Sequence, residues 1–456
     1  MSVNFISSYL GHHKENKVIY FLGKQANLSS LYDTFRVHHF DECLLYVQNE
    51  DLKAKIDLSK LENIKLIQKD EIEKLSGFSY VFDDFIPDLD FKFKTRKIVG
   101  AYSEEVNTYK IWQQARSYVD EIVLANHFDD FRSNVLEWKK NTETDIELSV
   151  IMPTYNVEKY LPKCIESLIQ WDAPYVEYLF VDDGSKDNSA QVINEYSKKD
   201  SRVKLLSKEN GGCASARQYG IDYSKGRYIG FIDPDDFIDP TMFEKLHSKA
   251  MTGTYEVAFA GYNEYYEDTG TSKKIDDLTG RPYCFGTAEK KDIDRLISDL
   301  RIAIWRGIYR RDLLERNNIR FFTQLKRFDD LPFKTEIYSR ASSVVSVDEP
   351  LYFYRLGRAG QDVSATDERL YVHFEIFNLL DKFFENSGAN QKARYYKVKV
   401  QTHFWAVTVI KDELKKEYIK KAADELEIDN TKKVWKNLLS KYCKKKDVKT
   451  FISFIK

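Results

Sequence analysis

Three carboxylates stand within four residues in the stretch Phe231-Ile232-Asp233-Pro234-Asp235-Asp236. An apolar run, Tyr228 to Ile232, precedes them and reads as a buried strand. Carboxylates crowded at a strand end repel one another unless a cation sits among them. A hard divalent ion, Mn2+ or Mg2+, shared between carboxylate and phosphate oxygens would relieve that repulsion. The competing reading is helix capping by Asp235 and Asp239 in a surface loop.

Two further stretches carry polar residues of similar promise. Pro153-Thr154-Tyr155-Asn156 ends one apolar run, and Asp182-Asp183-Gly184-Ser185 ends the next. A carboxylate so placed can accept a hydrogen bond from a base imide or a ribose hydroxyl. The same residues would also serve as turn and cap, with Gly184 in the turn and Asp187 or Ser189 capping the following helix. In Asn210-Gly211-Gly212-Cys213-Ala214-Ser215-Ala216-Arg217, two glycines open a helix of small residues. Such a helix end can approach a pyrophosphate closely, with Arg217 adding charge one turn in. A glycine-assisted loop with a surface arginine fits equally well.

These residues need a scaffold, and the pattern supplies one. Leu148–Met152, Tyr178–Val181, Val203–Leu206 and Tyr228–Ile232 read as buried strands. Helices over 160–170, 189–198 and 213–223 alternate with them. The expected solution is a parallel sheet with helices on both faces, where ligands bind beyond the carboxyl ends of the strands. All the polar residues above lie at those ends. Residues 1–145 read as a separate small α/β unit, with short apolar runs at 18–22, 43–47, 64–67 and 80–82 and a helix over 108–128. Residues from about 366 to 456 read as helical, and their last part is lysine-rich.

Taken in order, PTYN, VDDGSKDNS, NGGCASAR and FIDPDD resemble the motifs of the family 2 glycosyltransferases. The resemblance continues in Ile304–Arg311, with its W-x-x-x-Y-R-R pattern, in Arg327–Phe333, similar to the family's "ED" segment, and in the strand Asp348–Arg355. It covers about half of the chain. It implies a GT-A fold over residues 146–365, flanked by residues 1–145 and 366–456. It further implies that Pro153, Thr154 and Tyr155 line the nucleobase pocket, with Asp182 and the adjoining Asp183 on the base, usually uracil. Arg217 would face the ribose or diphosphate. Asp233 and Asp235 would be the metal-binding pair, with Asp235 the more direct ligand and Asp233 nearer the sugar. Asp330 would be the catalytic base. Position 329 is Asp where the family more often has Glu, so Asp329 and Asp330 can exchange roles. Gly307 stands where a lysine is expected.

The implied reaction is inverting transfer of a hexose or N-acetylhexosamine from a UDP-sugar to a hydroxyl of a glycan, lipid-linked or glycoprotein acceptor. A rival is a non-catalytic nucleotide-sugar-binding or scaffold subunit. A nucleotidyltransferase would call for a glycine- and arginine-rich phosphate loop after the first strand, and none stands there. The formal net charge of -2 excludes a chain-wide basic footprint, so no nucleic-acid partner is expected. Five cysteines with no paired spacing give neither a disulfide framework nor a zinc site. His12, His13, His38 and His39 read as surface residues. With no signal peptide or long apolar run, a cytoplasmic location is expected, and the lysine-rich tail leaves open peripheral contact with the inner membrane face. Self-association is likewise left open.

Overall fold

A computed structural model of the chain describes residues 17–23, 31, 42–48, 50–57, 61, 64–72, 75, 78–83, 85, 87, 95, 97–102, 107–128, 132–140, 144–275, 289–357, 365–443 and 445–455. His12, His13, His38, His39 and Cys284 lie outside these residues. The chain divides into two compact units, one formed by Met1–Asp145 with Ser248–Thr254, the other by Ile146–His247 with Tyr255–Lys456.

In the first unit the apolar runs become strands β1 (Lys17–Leu22), β2 (Glu42–Val47), β3 (Ile64–Leu66) and β4 (Ser79–Asp83), followed by β5 (Lys97–Tyr102), β6 (Glu121–Phe128) and β7 (Arg132–Lys139). They lie in the order β3-β2-β1-β4-β5-β6-β7, parallel except for the last pair. Phe21, Tyr80, Phe82 and Phe85 pack ring against ring there, with centroids 4.9 to 5.1 Å from Phe21. The helix expected over 108–128 is half helix and half strand. Helix α1 (Thr108–Ala115) stops before β6, which pairs with β5 on one side and β7 on the other. Ile122-Val123-Leu124 is buried between these neighbours. Two-sided pairing of an aliphatic run outweighs the helical spacing of the apolar residues around it.

The second unit holds β8 (Leu148–Thr154), β9 (Val176–Asp182), β10 (Val203–Ser207), β11 (Tyr228–Phe231), β12 (Phe237–Ile238), β13 (Val257–Tyr266), β14 (Thr271–Ile275), β15 (Gly307–Arg310) and β16 (Val344–Leu356). Their order is β10-β9-β8-β11-β15-β13-β16-β12, with β14 on β13. The run from β10 to β11 is parallel, as expected, whereas β15 is antiparallel to both neighbours, so the sheet is mixed. The fold class is the α/β, GT-A type that the resemblance implied. β8 and β9 are buried almost throughout, which is why they read as unbroken apolar runs.

Helices α2 (Leu161–Ile169), α3 (Ser189–Ser197) and α4 (Cys213–Tyr223) join the parallel strands. α2 carries Pro162 in its first turn, where a fixed φ suits the helix, and buries Leu161, Cys164, Ile165 and Leu168 on one stripe. α4 lies unusually close to the sheet. A Cβ at Gly220 would stand 2.4 Å from Cγ2 of Ile151 on β8 and 3.2 Å from Cγ2 of Val181 on β9. The small residues of this segment therefore serve packing directly. Beyond the sheet come α5 (Lys290–Asp299) and α6 (Asp330–Arg340), the latter buried from Leu331 to Ser339. The C-terminal helices α7 (Val372–Phe384), α8 (Ala389–Val409), α9 (Asp412–Glu425), α10 (Lys432–Tyr442) and α11 (Lys445–Ser453) pack around Trp435, Tyr418 and Phe451. No described helix is long and apolar enough to cross a membrane.

The close approach at Gly220 gives a stability prediction. Gly220→Val gains little helix propensity but forces a branched side chain into Ile151. It should destabilise this unit by about 2 kcal/mol or more, lowering its melting temperature by roughly 3 °C in a calorimetric scan. An unchanged melting temperature would mean that α4 can move away from the sheet at no cost.

Candidate active site

The residues singled out in the sequence converge at one end of the second sheet. Thr154 ends β8 and pairs in register with Asp182 at the end of β9. Thr154 is buried and its hydroxyl donates to the Met152 carbonyl. Pro153 stands just before it, and Tyr155 just after is 46% exposed. Asn156 adopts φ of 52°, a conformation its amide side chain tolerates. That side chain accepts from the Lys186 amide, and the Ser185 hydroxyl accepts from the Asn156 amide. The PTYN and DDGS segments are thus laced together, and the Asp182 carboxylate closes the turn by accepting from the Ser185 amide.

Asp183 serves the glycine loop. Its carboxylate accepts from the amides of Gly211 at 2.9 Å and Gly212 at 2.7 Å and from Nζ of Lys208 at 2.7 Å. The two glycine amides ahead of the helix are therefore engaged by a carboxylate of the protein. Gly212, with φ of 91°, caps α4 in a conformation that favours glycine.

Arg217 on α4 is buried between two carboxylates. Nη2 donates to Asp233 at 2.6 Å and Nη1 to Asp329 at 2.8 Å. The sequence led us to expect Arg217 at the ribose or diphosphate; in the structure both terminal nitrogens hold protein carboxylates. It joins the acidic loop after β11 to the start of α6. Asp233 remains partly exposed, and its second oxygen makes no hydrogen bond among the described residues.

Asp235 and Asp236 are buried behind Asp233. Asp236 points into the protein, accepting from the Tyr352 hydroxyl at 2.6 Å and from the Arg355 amide at 2.7 Å. Burial first, then the charges of Asp235 and Asp233, push its carboxyl well above the ordinary range. Arg355 donates from Nε to the Asp235 carbonyl at 2.6 Å and pairs with Glu267. Its guanidinium lies 5.0 to 5.5 Å from the rings of Tyr160, Phe237 and Tyr265. Tyr352 and Arg355 are functional neighbours that the sequence reading did not assign. An arginine inside a buried aromatic strand was the available signal, because such a charge needs a partner. Trp305, from the W-x-x-x-Y segment, stacks on Tyr352 at 4.0 Å and on Tyr354 at 5.5 Å. Gly307 is where β15 crowds β13: a Cβ there would meet the Ala258 carbonyl at 3.0 Å, so the expected lysine has no ready room.

Asp330 opens α6, next to Asp329. Burial and then the Asp329 charge raise its pKa to about 7, against the lowering effect of Arg217. No other side chain donates to it among the described residues. A carboxylate that titrates near neutrality beside an acidic pair is suited to accept a proton. Asp329, by contrast, is committed to Arg217. The Asp233 and Asp235 pair offers oxygen ligands only, which suits a hard divalent ion. No group of three or more candidate ligand side chains occurs among the described residues, so water and substrate oxygens would complete such a shell.

The chain is similar in sequence to known glycosyltransferases. Residues 149–316 match the family model of glycosyl transferase family 2. The chain is 33% identical over 252 residues to the uncharacterized glycosyltransferase YibD of Escherichia coli (strain K12), covering 53% of this chain and 72% of that protein. It is 32% identical over 212 residues to the uncharacterized glycosyltransferase EpsJ of Bacillus subtilis (strain 168), covering 46% of this chain and 60% of that protein. Among solved structures, that of S. aureus TarS 1-349 in complex with UDP-GlcNAc aligns with a TM-score of 0.42 at 19% identity, covering 62% of this chain and 88% of that one. On its sequence, the chain belongs to glycosyl transferase family 2.

Proposed function

We propose that the chain is an inverting glycosyltransferase that moves a sugar from a UDP-sugar donor, with a divalent cation, to a hydroxyl of a glycan, lipid-linked or glycoprotein acceptor. The observation that carries this reading is the Arg217 bridge, which brings the acidic loop and Asp330 to the same strand ends as Thr154 and Asp182.

The residues divide the work as follows. Pro153, Thr154, Tyr155 and Asp182 receive the nucleobase, and Tyr155 offers its exposed ring for stacking. Asp183 acts at one remove, by holding the Gly211–Gly212 loop. Asp233 and Asp235 would hold Mn2+ or Mg2+, which when bound would offset the charge of the diphosphate leaving group. Asp330, ionised, takes the proton of the acceptor hydroxyl as the oxygen attacks the anomeric carbon. The bond to UDP breaks on the opposite face, so the anomeric configuration inverts. Asp329 and Arg217 keep Asp330 in place. Gln324, Lys326, Arg327, Tyr371, Val372 and Glu375 line an open cleft of about 480 Å³ between the segment before α6 and the start of α7. Its mixed charges and aromatic edge suit a polyhydroxyl ligand, and we assign it to the acceptor. The C-terminal helices would then take part in acceptor choice.

Asp330→Asn keeps the shape and removes the proton acceptor. It should lower kcat at least ~100-fold with UDP affinity nearly unchanged, whereas Asp329→Asn should cost less. In the parent enzyme kcat should rise with pH through the Asp330 pKa of about 7, because only the ionised carboxylate accepts a proton. If Asp329→Asn proves the more damaging, the base is Asp329.

Excess EDTA, or Asp235→Ala in a folded protein, should abolish turnover. Full activity in EDTA would remove the metal from the mechanism. In a thermal-shift series with Mn2+, UDP should stabilise the protein more than GDP, ADP or CMP, since ligand binding raises stability by mass action. Preference for GDP would change the donor class while leaving the site in place.

A further inference from the structure

Phe328, the residue before the Asp329–Asp330 pair, has φ of 54°. Left-handed backbone is uncommon for a bulky aromatic residue and stores free energy unless its surroundings enforce it. Here they do. The Phe328 ring packs against the sheet core on one side and the C-terminal helical core on the other. Its centroid lies 5.0 Å from the ring of His373 on α7 and 6.1 Å from that of Trp405 on α8. His373 and Trp405 also meet edge to face at 5.9 Å. The His373 ring is itself fixed, since Nδ1 shares the Tyr418 hydroxyl with Nδ1 of His403, whose Nε2 meets Glu425 at 2.5 Å. Beyond Phe328 the chain is committed at once: Asp329 reaches Arg217, and the Leu331 amide donates to the Phe328 carbonyl at 3.2 Å.

We propose that Phe328 is a positioning residue for the reaction, its strained turn held by His373 and Trp405 so that Asp329 and Asp330 keep their places, which makes the C-terminal helices part of the catalytic apparatus. This rests on Asp330 being the base. Relaxing φ of Phe328 to a negative value would redirect the next peptide planes, and with them both carboxylates. A misplacement on the order of 1 Å is enough to cost about 100-fold in rate. The helices that supply His373 and Trp405 lie outside the segment 149–316 that carries the family match.

The test uses the full chain with Mn2+, water as acceptor, and UDP release from UDP-glucose, UDP-galactose, UDP-GlcNAc and UDP-GalNAc. Phe328→Ala and the more remote Trp405→Ala should each lower kcat about 10- to 100-fold while UDP affinity by calorimetry stays within about twofold. Phe328→Tyr, which keeps the ring, should restore most of the rate. In parallel, carbon-13 NMR of labelled aspartate, assigned with Asp330→Asn, should show the Asp330 titration moving away from about 7 in Trp405→Ala; this readout requires no donor. If Trp405→Ala is folded and leaves both the rate and that titration unchanged, the proposal is overturned. If UDP affinity falls in step with kcat, the role of Phe328 is structural only and the proposal fails. If Asp330→Asn alone retains full activity, the base assignment fails and this inference with it. If Asp330→Asn is inactive while Phe328→Ala and Trp405→Ala are not, only this inference falls.

Discussion

A buried arginine shared by two carboxylates organises the second unit. Arg217 reaches Asp233, 16 residues along the chain, and Asp329, 112 residues along it. An ionised guanidinium out of water is tolerated only when its charge is met, and removing one partner of such a pair typically costs about 3–5 kcal/mol. The requirement fixes three elements at once, namely α4, the loop after β11, and the N-terminus of α6. It also leaves an imbalance, since one cation faces two carboxylates and Asp330 lies next in line. Burial and that remaining negative charge together carry the Asp330 pKa to about 7. The bridge and the poised carboxylate are two consequences of one arrangement.

The acidic loop is braced from behind by a second arginine. Arg355 holds the Asp235 carbonyl and sends its backbone amide to Asp236, while three aromatic rings surround its guanidinium. The Tyr352 hydroxyl takes the other Asp236 oxygen. Arg217 meets part of the Asp233 charge and Asp236 turns inward, yet the charges of Asp235 and Asp233 still push the Asp236 carboxyl up.

The sequence was most informative where chemistry and local structure coincide. Buried parallel strands appear as unbroken apolar runs with polar residues at their ends, so β8 to β11 and the residues after them are legible in the sequence alone. What could not be read depends on distant partners. Nothing near Arg217 in sequence indicates Asp329, and nothing near Phe328 indicates α7 or α8. The antiparallel insertion of β15 between β11 and β13 is likewise set by tertiary pairing. That the Asp183 carboxylate holds the Gly211 amide could not be read either, because the two lie 28 residues apart. The error at 108–128 is of the same kind, with a strand partner deciding between two local options of similar merit.

The engagement of that glycine loop bears on the cation. Asp183 takes the Gly211 and Gly212 amides, just ahead of the first turn of α4, and Lys208 balances Asp183 in turn. Arg217 is spent on Asp233 and Asp329, and Arg355 on the back of the acidic loop. A nucleoside diphosphate brought to these strand ends would approach carboxylates whose two arginines are already engaged. A cation arriving with it could be shared between the phosphates and the Asp233 oxygen that makes no hydrogen bond among the described residues. A divalent ion there would answer both the donor's charge and the repulsion that still raises Asp236.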